Sequence, residues 1–175
     1  MTPSDINDLA GRMKQNIADM RAGLVGESLR GKVLIMAAQI DDLLSDVIDD
    51  APKPANYKPK NWWTFAAKIK FVRELGLMPR LEADALHALR EIRNVAAHEL
   101  KPFSLEVEPQ VTNLEKFVSS SLKNDATKKA IEESFSLKKP VQQFVILSLF
   151  HVFSLQIMRH KLKTAALQAT AENKS

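Results

Sequence analysis

Apolar residues recur every three or four positions through most of this chain, the spacing that gathers them on one side of an α-helix. Ile6, Leu9, Met13, Ile17, Met20 and Leu24 follow that rhythm. Ser4 is a natural N-cap, and Asp5 and Asp8 place negative charge in the first turn, so a first helix is expected over 4–24. A second is expected over 27–48, with Leu29, Val33, Met36, Ile40, Leu43 and Val47 as its stripe. Leu34, Ile35, Ala37 and Leu44 widen that stripe, which puts this helix at the centre of the fold. Prolines at 52, 54 and 59 then exclude helix and predict an exposed loop over 51–60.

A third helix is expected from Asn61 or Trp62 to Gly76, a natural C-terminal stop. Pro79 opens a fourth that runs to Glu99 and turns Leu81, Ala85, Leu89, Ile92 and Ala96 inward. Pro102 ends it, 103–109 form a short extended link, and Pro109 starts a fifth helix through Leu122. Residues 124–134 add a shorter one. The last long helix runs from Pro140 to Gln168. Ser148, His151, Ser154 and Gln156 interrupt its apolar run from Phe144 to Met158. A membrane span wants about 20 predominantly apolar residues, so this helix is expected to be buried core, lying partly in an oligomer interface. The fold class is therefore all-α: a single-domain bundle of six or seven helices over 1–169, with a frayed tail from Thr170.

Composition agrees with helix, since Gly is scarce at 5 residues and strand turns would need more. The absence of cysteine excludes disulfides, thiolate zinc sites and a cysteine nucleophile, and fits a reducing, cytoplasmic setting. Met1 to Asp5 carry no basic stretch leading into an apolar one, so no signal peptide is expected. The net charge of +4 is dispersed along the chain rather than concentrated on one face, which argues against direct sequence-specific DNA binding.

No phosphate-binding glycine loop, dinucleotide fingerprint, metalloprotease helix or nucleophile elbow occurs. The four histidines, His87, His98, His151 and His160, lack metal-ligand spacing, so neither metal nor cofactor is expected. Candidate chemistry lies in polar residues on otherwise apolar helices: Glu27, Arg30, Asp41 and Asp42 in the second, Arg90, Arg93, Asn94 and His98 in the fourth. Such groups must face solvent or satisfy one another. Asn94 and His98 share a face, whereas Arg93 and His98 are about 140° apart on an ideal helix. They converge only if the helix end unwinds before Pro102 or if a second protomer supplies one of them. Otherwise Arg93 pairs with Asp41 or Asp42 while His98 caps the helix end. Trp62 and Trp63 either stack on a base or ligand or anchor core, and Lys68 either approaches a phosphate or is solvated surface.

Three blocks resemble the mannitol operon repressor (MltR-like) family. They are Glu27-Ser28-Leu29-Arg30-Gly31 with Ile40-Asp41-Asp42-Leu43-Leu44, then Thr64-Phe65-Ala66-Ala67-Lys68-Ile69-Lys70 with Glu74-Leu75-Gly76-Leu77, and Ile92-Arg93-Asn94-Val95-Ala96-Ala97-His98 with Lys101-Pro102-Phe103. The resemblance spans 25–160 and departs from the family at Lys60-Asn61-Trp62-Trp63 and in the proline-rich loop. It implies a transcriptional regulator that acts through a protein partner. Arg93-Asn94-x3-His98 also resembles the motif of HEPN ribonucleases, which implies metal-independent cleavage of RNA, as in a toxin or phage-defence component. There the histidine would act as general acid or base and the arginine would stabilise charge on phosphorus. Under either expectation the protein is a homo-oligomer, a dimer in the simplest case.

Overall fold

The computed structural model describes Gln15, Asp19 and residues 22–53, 64–122 and 139–172. Five long helices account for most of them: α1 (Leu29–Asp50), α2 (Phe65–Glu74), α3 (Arg80–His98), α4 (Gln110–Ser121) and α5 (Pro140–Glu172). No strand occurs among the described residues, so the fold is the all-α bundle that the periodicity predicts. Of the expected first helix, residues 22–24 are helical and Leu24 is buried. Most of that helix, the loop from Pro54, Trp62, Trp63 and residues 124–134 lie outside the described residues.

α1 is the central element and packs against α2, α3 and α5, while α4 closes the bundle against α3 and α5. Val33, Met36, Ala37, Ile40, Leu44, Val47 and Ile48 of α1 are buried, so the seam runs through Leu44 rather than Leu43. Ser28 caps this helix by accepting the Gly31 N–H at 3.0 Å. In the same way Thr64 accepts the Ala67 N–H at 3.2 Å, which fixes the start of α2 at Phe65 rather than at 61 or 62. Gly76 closes α2 with φ 71, a left-handed conformation that a side chain would strain.

Ala85, Leu89, Ile92 and Ala96 of α3 are buried as expected, but Leu81 is 37% exposed. It sits in the first turn of the helix, and Ala83, Leu86 and Ala88 take core places instead. Of the link expected to be extended, residues 105–109 form bends and a turn, with Leu105 tucked into the core and the Ser104 hydroxyl accepting the Glu106 N–H. On α4 the buried positions Gln110, Leu114, Phe117 and Ser121 recur at three- and four-residue spacing.

By length and composition α5 could cross a membrane, yet one face of its first half is core. Phe144, Leu147, Ser148, His151, Val152 and Leu155 are buried there. From Lys161 the helix is mostly exposed, so it is not the wholly buried element expected from its apolar run. It continues through Glu172, and the Thr170 hydroxyl donates to the Ala166 carbonyl where fraying was expected. Arg159 ties α5 to α1, bonding Asp50 at 2.7 Å and Asp46 at 2.5 Å. Those hydrogen bonds, Asp50's first, hold the arginine even more firmly charged than usual. Lys163 adds a longer contact, 3.6 Å from Asp50.

Candidate functional site

The helix that carries Arg93, Asn94 and His98 stays regular to its end. The Glu99 N–H donates to the Val95 carbonyl at 3.1 Å, and only at Glu99 does the backbone become extended. Unwinding before His98 does not occur, so Arg93 and His98 point about 140° apart within one chain. Both are exposed. The Arg93 guanidinium donates to Asn94 Oδ1 at 3.2 Å. Among the described residues it pairs with neither Asp41 nor Asp42, and Asp41 is engaged by another cation.

The residue that takes Asp41 is Lys68, whose amino group lies 2.9 Å from Asp41 Oδ1 and 3.3 Å from the Asp41 carbonyl. At 13% side-chain exposure Lys68 is an inter-helix tie, not a solvated residue or a free phosphate ligand. Arg93 instead shares a wall with the two aspartates: Leu34, Ala37, Asp41, Asp42, Phe65 and Arg93 line a cavity of about 560 Å³ where α1, α2 and α3 meet. Asp42 is exposed at its rim. With Asp41 paired to Lys68, it is the exposed Asp42 carboxylate beside the arginine that repels a phosphate here.

Arg30 has a structural task. Its guanidinium donates to the Glu99 carbonyl at 2.7 Å and the Lys101 carbonyl at 2.6 Å, reaching from the start of α1 to the segment after α3. It satisfies carbonyls at that helix end, the role expected of His98. No side-chain hydrogen bond of His98 occurs among the described residues. Because Arg30 grips the backbone on both sides of Leu100, this leucine is held in place while its side chain is fully exposed. Glu27 is close by. Its carboxylate folds over Gly31, where a Cβ would collide with it, and its carbonyl accepts from Lys32. The first block thus meets the third where Arg30 bonds the Lys101 carbonyl, and the second where Lys68 pairs with Asp41 midway along α1, whereas Trp62 and Trp63 lie outside the described residues.

A second polar cluster, absent from the sequence-based expectations, lies in the interior. His151 is 1% exposed, and its Nε2 is 2.9 Å from the Ser121 hydroxyl of α4. Its Nδ1 is 3.6 Å from Glu82 Oε1 of α3. Phe117 and Phe150 flank the ring, each with its centroid 5.5 Å away. The available signal was the interruption of the α5 apolar run at His151. The partners could not be foreseen, because they come from two other helices.

Ser, His and Glu in this order suggest a nucleophile triad, but the surroundings do not support one. Ser121 is the last residue of α4 and its hydroxyl donates to the Phe117 carbonyl at 2.7 Å. A helix C-terminus presents carbonyls and the negative end of the dipole, the opposite of the N–H donors that an oxyanion needs. Nor do the described residues contain a group of three or more His, Asp or Glu able to hold a metal ion.

What the fold and these sites define is a helical bundle with an exposed leucine between two bonded carbonyls at one end and a polar cluster inside. No family model matches the chain, and neither the curated proteins nor the solved structures provide a match.

Proposed function

We propose that this protein is a regulatory interaction module of the mannitol-repressor-like type, which acts by binding another protein through the end of the bundle where α1 and α3 meet. One observation carries this reading: Leu100 is fully exposed, yet Arg30 holds the carbonyls on both sides of it. An apolar residue whose backbone is held in that way loses little backbone freedom on binding, which suits a contact anchor. The exposed His98, two residues before Leu100, adds a polar contact beside the anchor. The alternative of RNA cleavage is less favoured, because Arg93 and His98 diverge and Asp41 and Asp42 stand beside the arginine.

The test compares tagged wild type with Leu100→Asp in affinity capture from the cells that make the protein. A protein partner is expected with the wild type and lost with the variant, while the two melt at the same temperature. The same preparations are incubated with RNA in EDTA. Cleavage by wild type that vanishes in His98→Ala overturns the interaction reading in favour of a two-protomer ribonuclease.

A further inference from the structure

Where α1, α2 and α3 meet, the cavity of about 560 Å³ has an apolar wall of Leu34, Ala37 and Ala38 from α1 and Phe65 from α2. That volume lies within the range of small-ligand sites. Two residues of opposite charge line the same cavity, Arg93 and Asp42, and both are exposed. They do not pair with each other. Asp41 contributes no free charge between them, because Lys68 sits 2.9 Å from its carboxylate. The free charges are therefore one cation and one anion beside an apolar wall.

Both charged groups keep hydrogen-bonding capacity to spare. A guanidinium has five N–H donors, and Arg93 uses one of them, on Asn94 Oδ1 at 3.2 Å. The Thr64 hydroxyl, also exposed on this cavity, accepts the Ala67 N–H at 3.2 Å and keeps its own proton to donate. The Asp42 carboxylate has no hydrogen-bond partner among the described residues. A plain anion on Arg93 is repelled by Asp42, and a plain cation on Asp42 is repelled by Arg93. A molecule that carries both charges meets an opposite charge at each end.

We propose that this cavity binds a zwitterionic α-amino acid with an apolar side chain, its carboxylate on Arg93 and Thr64 and its ammonium on Asp42. The carboxylate accepts paired N–H bonds from the guanidinium, the geometry that arginine favours. Standard backbone dimensions set the two charges of an α-amino acid about 3 Å apart. With a hydrogen bond of about 2.9 Å at each end, such a molecule bridges groups up to roughly 8 Å apart. The exposed Arg93 side chain is free to swing and close that span. Leu34 and Phe65, both half-buried, receive the apolar side chain and take it out of water.

The experiment titrates the full chain by calorimetry with L-phenylalanine, L-phenylalaninamide, which lacks the carboxylate, and N-acetyl-L-phenylalanine, which lacks the ammonium. Phenylalanine is expected to bind at least about tenfold more tightly than either analogue. Arg93→Gln and Asp42→Asn should each weaken phenylalanine by a similar factor without shifting the thermal midpoint, since both side chains are exposed. Arg93→Gln should leave binding of the amide intact, and Asp42→Asn that of the acetylated form, a pattern that misfolding would not give. In the wild type, the Arg93 Nε–H resonance should move on addition of phenylalanine. This readout does not depend on any variant folding. The proposal is overturned by either analogue binding as well as phenylalanine, by either variant binding phenylalanine like the wild type, by an Arg93 resonance that does not move, or by no binding at millimolar concentration. None of these outcomes bears on whether Leu100 contacts a protein partner.

Discussion

His98 and His151 belong to helices of the same bundle, yet they occupy opposite environments. His98 ends α3 in solvent, part of a short motif that can be picked out by eye, and nothing among the described residues holds its side chain. His151 lies inside α5 with no motif around it, but Ser121 bonds it, Phe117 and Phe150 flank it, and Glu82 faces it. A conspicuous sequence pattern thus sits where the protein imposes little on the side chain, and an inconspicuous residue sits where three helices converge. Spacing along one helix reports what shares a face. It does not report what the face meets.

Four substitutions sharpen that contrast. The largest effect is expected from His151→Ala, which leaves a cavity against Phe117 and strips Ser121 of its partner. A loss of about 3 kcal/mol is expected in chemical denaturation. A loss below about 1 kcal/mol would mean that the interior cluster organises nothing. Next is Arg30→Ala, which frees the Glu99 and Lys101 carbonyls. It should cost about 1–2 kcal/mol and speed amide exchange at Glu99, whose N–H closes the last turn of α3. Unchanged exchange would show that α3 needs no help to stay helical to its end, and the rigid setting of Leu100 would lose its basis.

A smaller effect concerns pH. Burial, aided by the positive charge of Arg90, lowers the pKa of His87 below the ordinary histidine value. The folded protein takes up this proton less readily than the unfolded chain. The contribution is therefore intact above the unfolded value and is lost as pH falls through the folded one. Stability measured from neutral to acid pH should decline through that window, and His87→Gln should remove part of the decline. Equal slopes in both proteins would exclude His87 as its source. The smallest effect is expected for His98→Ala, within about 0.5 kcal/mol in the same denaturation experiment. A larger loss would reveal a structural role for His98 that its exposure does not suggest.

The helices themselves were legible. Val33, Met36, Ile40 and Val47 are the core stripe that their spacing predicts, Gly76 stops α2, and the prolines at 79, 109 and 140 stand at the starts of α3, α4 and α5. Errors appeared where a local signal had competitors. Thr64 caps α2 in place of an earlier start, and Leu81 is displaced from the core by alanines of α3. Lys68 reads as surface in isolation because its partner Asp41 lies on another helix. The expected pairing of Arg93 with Asp41 gave way for the same reason, since Asp41 is engaged by Lys68.

By itself the sequence determined that this chain is helical, where most of its helices begin and end, and which stripe of each avoids water. Those features depend on residues within a few positions of one another, where backbone geometry is fixed. Only the tertiary structure decided which polar groups meet: Arg30 with the end of α3, Lys68 with Asp41, and His151 with Ser121 and Glu82. Such meetings depend on how each helix is rotated and crossed against its neighbours, and many side chains set that packing at once.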